Sequence, residues 1–517
     1  MPIHFLGPPK PNSFFLFDTT PNECFNIISK LKLTTTNIDV MPVRIFKMLK
    51  SEMASPISLL INASFKFGRF PDSLKIARIT PIFKKGDNKF VGNYRPIASL
   101  PYISKIFERS VANRLASFFK KFSIINKSQF GFQKHKSTCD ALINLSGKIY
   151  ENLNKKEHTI NVLIDLSKAF DTVKNEVLLA KLYNYGIRGL PLSWFRSFIS
   201  DRKQYVKIGN SNSSLRSVNI GVPQGSILAP ILFLIYINDL ANVSEILSPT
   251  LFADDTTLTI SHNNYTQMVT DLNAELKLIN EWTKSNRLTI NVDKTEMILI
   301  TNRQCNNGDN DIKLDDQYLK FTENCMFLGV KLDNKLTFCS HIKYITSKLA
   351  RSTGIFYKIR DNFTLSAKLN FYYAFMYPFF SYNIIVWGGT FPTHLKPLIT
   401  QQKRFIRLMA DADMVAHTNP YFYQFKILKL HDVYRYFMSI YMFNLIKVGT
   451  YKITHGRVTR NMNLAQPSFQ RLTLTQHSVS YAGPKIWNEI PQCIRNISSL
   501  QLFKKKFRSF LINQYNS

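Results

Sequence analysis

The sequence is poor in the features that would make it a secreted, membrane-spanning or zinc-held protein. Its 517 residues include only six cysteines, Cys24, Cys139, Cys305, Cys325, Cys339 and Cys493. None forms a Cys-x-x-Cys pair or joins a Cys/His cluster at zinc spacing, which excludes the common zinc modules. Scattered free thiols fit a reducing compartment. Long apolar runs are also lacking. The longest, residues 227–237, contains Pro230 and is too short to cross a bilayer. The run Phe14-Phe15-Leu16-Phe17 is too short for the core of a secretory signal. No Pro/Gly/Ser-rich linker and no internal repeat divides the chain. The expectation is an intracellular protein, nuclear or cytoplasmic, with no membrane partner.

Acidic residues are the other shortage. Lys and Arg number 67 against 34 Asp and Glu, a formal net charge of +33. The basic residues are spread along the chain and not gathered in a tail. A surface this positive repels itself unless an anion covers it. Nucleic acid is the commonest such partner, and its phosphates would dominate the affinity. Because single cores stop growing at about 250–300 residues, a chain of this length implies several packed lobes.

What is present is an alternation of helical and strand patterns. Residues 1–75 are mostly helical, with apolar residues at helical spacing in 23–31 and 56–67. Residues 76–83 read as a strand in which Pro81 demands an edge or a bulge, and Lys84-Lys85-Gly86-Asp87 as a turn. A helix over 101–121 turns Ile103, Ile106, Phe107, Val111 and Leu115 to one side. Residues 160–166 form a nearly continuous apolar run ending in an acid, the pattern of a buried strand with Asp165 at its edge. A helix follows through Leu182. Residues 226–242 read as a helix, 248–260 as two strands meeting at Asp254-Asp255, 265–284 as a helix, and 288–300 as strand, turn and strand. Beyond 340 the chain is helical, basic and aromatic. Helices separated by strands indicate an α/β fold with an α+β core.

The acids carry the chemistry. Two Mg²⁺ ions about 4 Å apart can activate a hydroxyl nucleophile and stabilise a phosphate leaving group in one clamp. Mg²⁺ takes one or two carboxylates and completes its shell with phosphates and water. Asp165 at a strand edge and Asp254-Asp255 at a hairpin tip supply the required acids if their strands are neighbours. The tip is unusual, since a turn there would ordinarily carry Gly or Asn.

Seven stretches, in order, resemble one family. They are Asn93-Tyr94-Arg95-Pro96-Ile97, Ser128-Gln129-Phe130-Gly131-Phe132, Asp165-Leu166-Ser167-Lys168-Ala169-Phe170-Asp171, Gly221-Val222-Pro223-Gln224-Gly225-Ser226, Phe252-Ala253-Asp254-Asp255, Asn291-Val292-Asp293-Lys294-Thr295 and Phe327-Leu328-Gly329-Val330. Together they are similar to the reverse transcriptases of non-LTR (LINE-type, jockey-like) retrotransposons, strongly over about residues 20–340. The resemblance implies a right-hand polymerase. Its parts are an N-terminal helical extension over 1–59, fingers over 60–155, a palm over 156–335, a helical thumb over 336–400 and a basic helical C-terminal domain over 401–517. It implies an RNA-directed DNA polymerase using an RNA template, a DNA primer, dNTPs and two Mg²⁺ ions, with Mn²⁺ as an alternative. The other reading is a catalytically silent or co-opted nucleic-acid-binding relic.

Carried over by motif, Asp165 and Asp254 hold the metals and Asp255 completes the set. Phe170 lies under the incoming sugar and leaves no room for a 2′-hydroxyl. Gln224 meets the incoming nucleotide, with Gly221 and Gly225 allowing close backbone approach to nucleotide or template. Lys84, Lys85 and Arg95 are expected to bind the triphosphate, and Lys294 to protonate the departing pyrophosphate. The helix over 341–360, with Lys343, Lys348 and Arg351, is expected to grip the template–primer duplex by its phosphates. The expectation is the polymerase portion of a longer element protein, or a truncated or co-opted copy, with no endonuclease in the short segment ahead of the fingers and no evident ribonuclease H acid set, retroviral-type protease motif or zinc knuckle.

Overall fold

The computed structural model describes residues 5–33, 38–39, 41–303, 312–315, 317–449 and 464–516. Cys305 lies outside them. The chain opens with an extended strip that leads into α1 (Pro21–Ser29), α2 (Val43–Met48) and α3 (Lys50–Phe67). Thr20 caps α1 by accepting from the Glu23 amide, and α3 stops where Gly68 takes a φ of 62°. Strands β1 (Ile76–Phe83) and β2 (Tyr94–Ser99) come next, then α4 (Tyr102–Lys121) and α5 (Thr138–Asn154). A Ser137/Asp140 capping box starts α5. There follow β3 (His158–Ile164), α6 (Asn175–Asn184), α7 (Gly189–Ile199), β4 (Arg202–Ile208), β5 (Ser211–Asn212), β6 (Arg216–Val218) and α8 (Ala229–Ile237). Then come β7 (Ser248–Phe252), β8 (Asp255–His262), α9 (Tyr265–Ser285), β9 (Glu296–Ile300) and, after a small hairpin over 324–333, α10 (Cys339–Ile359). Beyond α10 the described elements are all helical.

Two sheets organise the front of the molecule. One has the order β7-β8-β3-β9 and is antiparallel throughout. Its central strand β3 is buried at every residue but Leu163, as an apolar strand covered on both faces must be. Ile160, Val162 and Ile164 face a core shared with α4, α6, α7, α8 and α9. On the other side β9 gives Ile298 and Ile300 to a second core with α5, α10 and the C-terminal helices. The other sheet has the order β2-β1-β4-β5, with β6 also on β4. Its own core is four residues, Ala77, Ile79, Ala98 and Leu100.

Some expectations shift in detail. Pro81 sits opposite Pro96 in the β1–β2 ladder, while β4 pairs only with 76–79, so the proline occupies the half of β1 that has one neighbour. The helix expected after Asp165 starts only at Asn175. Before it the chain makes tight turns, with Lys168 at φ 48° and its carbonyl accepting from the amides of Asp171 and Thr172. The first strand expected over 288–300 is reduced to a single bridge between Leu166 and Ile290.

Candidate active site

The antiparallel register of β3 and β8 ends at Ile164 opposite Thr256. One step further along each strand stand Asp165 and Asp255, so the sheet itself delivers two acids to one edge. Asp255 also pairs with Phe252 across the β7–β8 turn, which consists of Ala253 and Asp254. Ala253 has a φ of 58°, the left-handed region that glycine ordinarily takes. The segment before α5 holds this turn in place. The Phe130 amide donates to the Leu251 carbonyl at 2.7 Å, and Gln129, almost fully buried, accepts from the amides of Ala253 (3.1 Å) and Gly131 (2.8 Å) through Oε1. A side chain at Gly131 would place its Cβ 2.4 Å from the Ala253 nitrogen, so only glycine fits.

On its other side Asp165 is framed by the 291–295 turn. Its carbonyl accepts from the Asn291 amide at 2.8 Å, and the Ser167 amide donates to the Thr289 carbonyl. This turn brings the Lys294 Nζ to 3.7 Å from Asp165 Oδ2. The carboxyl of Asp255 is pushed up to about 6 by burial and by the neighbouring charges of Asp254 and Asp165, against a downward pull from Lys84. The three acids therefore share one field, and Lys84 lies close enough to act on it. Lys85 and Arg95 are exposed on the same β1–β2 hairpin.

Among the described residues no three His, Cys, Asp or Glu side chains enclose a metal ion. Asp165, Asp254 and Asp255 are brought to one sheet edge by the strand register and the adjoining turn. That fits Mg²⁺, which leaves several positions to phosphate and water. Burial is the larger cause of the Asp255 shift, and a divalent cation would offset the part that comes from Asp254 and Asp165.

Phe170 is partly buried and stacks on Phe233 at 4.5 Å, with Phe132 edge-on at 6.3 Å. The 221–226 stretch is a brace. Its Gly221 and Val222 amides donate to the carbonyls of Val173 and Phe170, and the Gln224 carbonyl accepts from Ala98 of β2. The two glycines also have a reason within the protein itself. A Cβ on Gly221 would lie 2.8 Å from the Asp171 carbonyl oxygen, and one on Gly225 2.0 Å from that of Ala98. The close approach is to the protein's own backbone. Lys343 and Arg351 are exposed on α10 and Lys348 is partly so, its Nζ 5.5 Å from the Tyr344 ring. None of the three is among the partners of the acids.

Two groups escaped the sequence reading. Glu108, fully buried on α4, accepts from Ser104, from Ser226 and from the amides of Ile227 and Leu228, and so caps the entry to α8. Its signal was a carboxylate on the apolar stripe of the 101–121 helix. Lys181 and Asp239 form a wholly buried ion pair, completed by the Trp282 indole and the Tyr236 carbonyl. Burial brings the Lys181 ammonium down to about 8 despite that partner.

Part of the chain matches a known family. Residues 82–332 match the family described as reverse transcriptase (RNA-dependent DNA polymerase). The chain is 28% identical over 454 residues to the RNA-directed DNA polymerase from mobile element jockey of Drosophila melanogaster, covering 85% of this chain and 49% of that protein. It is 30% identical over 372 residues to the probable RNA-directed DNA polymerase from transposon BS of the same organism, covering 69% and 40%. A Pol polyprotein from the type-1 retrotransposable element R1 of Bradysia coprophila is 26% identical over 62% of this chain and 32% of its own length. The chain thus spans about half, or less, of the curated relatives it matches. Residues 82–332, which include the acids at the edge of β3 and β8, thus form a reverse transcriptase domain, and the chain is similar over most of its length to the polymerases of jockey and related elements.

Proposed function

We propose that the chain extends a primer 3′-hydroxyl with deoxynucleoside triphosphates along an RNA template and releases pyrophosphate. The observation that carries this reading is the register that sets Asp165 beside Asp255, with Asp254 in the adjoining turn. Two Mg²⁺ ions on these carboxylates would acidify the primer hydroxyl and neutralise charge on the leaving phosphates.

The remaining roles belong to the chain's own groups. Lys84, Lys85 and Arg95, on the β1–β2 hairpin, bind the triphosphate, Arg95 through its fork of donors. Phe170, backed by Phe233, bounds the sugar on its 2′ side. Lys294, beside Asp165, contacts the departing pyrophosphate. Lys343, Lys348 and Arg351 hold the duplex through its phosphates. In this arrangement β1 and β2 with the helices around them belong to the fingers, the β3 sheet to the palm and the α10 region to the thumb. Among the described residues no helix is long and apolar enough to cross a membrane.

The test is primer extension on an RNA template with Mg²⁺. The wild-type chain should extend, and Asp254→Asn should lose about 10²–10³ in rate or more while still binding the RNA–DNA hybrid. Near-normal extension by Asp254→Asn would remove the carboxylate assignment.

A further inference from the structure

Gln224 is held at two points. Its carbonyl oxygen accepts from the Ala98 amide of β2 at 2.8 Å. Its side-chain Nε2 donates to Asp171 Oδ1, also at 2.8 Å. Asp171 is itself fixed, because its amide donates to the Lys168 carbonyl and Gly221 packs against its backbone. Its carboxyl is raised by burial and drawn back down by the hydrogen bond from Gln224 and the charge of Lys168.

A carboxylate only accepts hydrogen bonds, whereas an amide offers a donor end and an acceptor end. Asp171 therefore dictates which end of the Gln224 amide it takes. The NH₂ turns to Asp171 and Oε1 is left pointing elsewhere. Among the described residues Oε1 takes no hydrogen bond. The tether is needed because there is room to lose it. A cavity of about 260 Å³ is lined by the pair together with Ala77, Ile79, Ala98, Arg202 and Val222. An untethered Gln224 side chain can swing into it.

We infer that Asp171 is a positioning residue that fixes the Gln224 amide with its oxygen toward the incoming nucleotide, as an acceptor for the sugar. This rests on the polymerase reading. The sugar of a deoxynucleoside triphosphate has one donor, the 3′-hydroxyl, so an acceptor held there favours nucleotides that carry it. A dideoxynucleotide leaves Oε1 unpaired.

The experiment compares single-nucleotide insertion of dNTP and ddNTP on an RNA template by the full chain and by Asp171→Ala, Asp171→Asn, Gln224→Ala and the Asp171→Ala/Gln224→Ala double variant. Loss of one such hydrogen bond corresponds to about a 3- to 10-fold change. Asp171→Ala should lower the dNTP:ddNTP ratio of kcat/KM by that factor, through KM for the dNTP more than through kcat. Asp171→Asn, which keeps an acceptor oxygen, should retain most of the preference. The double variant should be no worse than Gln224→Ala alone. A full parental ratio in Asp171→Ala beside a reduced one in Gln224→Ala would overturn the inference, as would additive losses in the double variant. The tether is also read without catalysis, from the Gln224 side-chain ¹⁵N–H₂ signals, which should move in Asp171→Ala. If they do not move, the inference fails whatever the kinetics. If they do move but the wild-type chain extends no primer, the tether stands, the inferred role in selecting the sugar is overturned, and the failure is traced to the polymerase reading.

Discussion

In the sheet that bears the acids, the central strand β3 is hidden on both faces and belongs to a core that runs through most of the first 320 residues. The neighbouring sheet that bears Lys84, Lys85 and Arg95 rests on four buried residues and leaves Ile82, Phe83 and Ile208 about half exposed or more. Both are short-stranded, and the 221–226 brace joins β2 of the second to the loop that follows β3 of the first. They differ in how firmly they are held. Acids that share a field need backbone fixed from several sides, because each repels the others. Cations that meet a polyphosphate gain from a platform that can adjust, and a sheet with few buried apolar contacts opens at lower cost.

The largest expected effect tests that difference directly. Ile160→Ala on β3 should cost about 2–5 kcal/mol of global stability, whereas Ile79→Ala on β1 should fall at or below about 2 kcal/mol and act locally. Denaturant unfolding with hydrogen exchange on both variants separates them. Equal global losses would mean that the basic sheet is as firmly held as the acidic one.

Next is Arg95→Ala. Removing a charged donor from the triphosphate should raise the dNTP KM by about 10- to 100-fold, with kcat less affected and thermal stability unchanged because the side chain is exposed. A KM like that of the parent would take Arg95 out of the nucleotide site.

A smaller effect follows from Asp255. Its folded pKa is raised to about 6, so its neutral form is favoured. Any stability it contributes is present at low pH and is lost as pH rises through about 6. Mg²⁺ needs the carboxylate, so its affinity should weaken as pH falls through that value, and binding there should release a proton. Calorimetric Mg²⁺ titrations in buffers of different ionisation enthalpy measure this. Asp254→Asn should shift the transition downward, since the Asp254 charge is one of its causes. A pH-independent affinity would show that the acids do not share a field.

The smallest effect concerns neither sheet. Replacing Lys343, Lys348 and Arg351 together should flatten the slope of log K against log salt by roughly two to three units, weaken binding to all sequences alike and spare the catalytic step. A parental slope would show that α10 is not the duplex grip.

Much of the frame was legible in the chain. The apolar run ending at Asp165, the acids of the 248–260 hairpin and the helices over 101–121 and 265–284 all stand where periodicity put them, because buried strands and amphipathic helices imprint their period on the sequence. The tight turns before Asn175 were not legible. Their residues look helical, and they are held by contacts with distant parts of the chain, the 221–226 brace, Thr289 and Tyr236 among them. Asp171 was visible only as the end of a motif, and Glu108 only as an acid out of place.

The sequence by itself determined which acids are available and in what order, the family that their motifs resemble, and the excess of cations that calls for a polyanion. These are properties of residue type and spacing. Only the tertiary structure decided that Asp165 and Asp255 come one step beyond the same pair of ladder partners, that Gly221 and Gly225 make room for backbone and that Asp171 chooses which end of Gln224 faces out. Each of these depends on strand register or on atoms far apart in the chain meeting at hydrogen-bond distance. Neither is written in local pattern, because the side-chain period of two repeats identically for every even shift of one strand against the next.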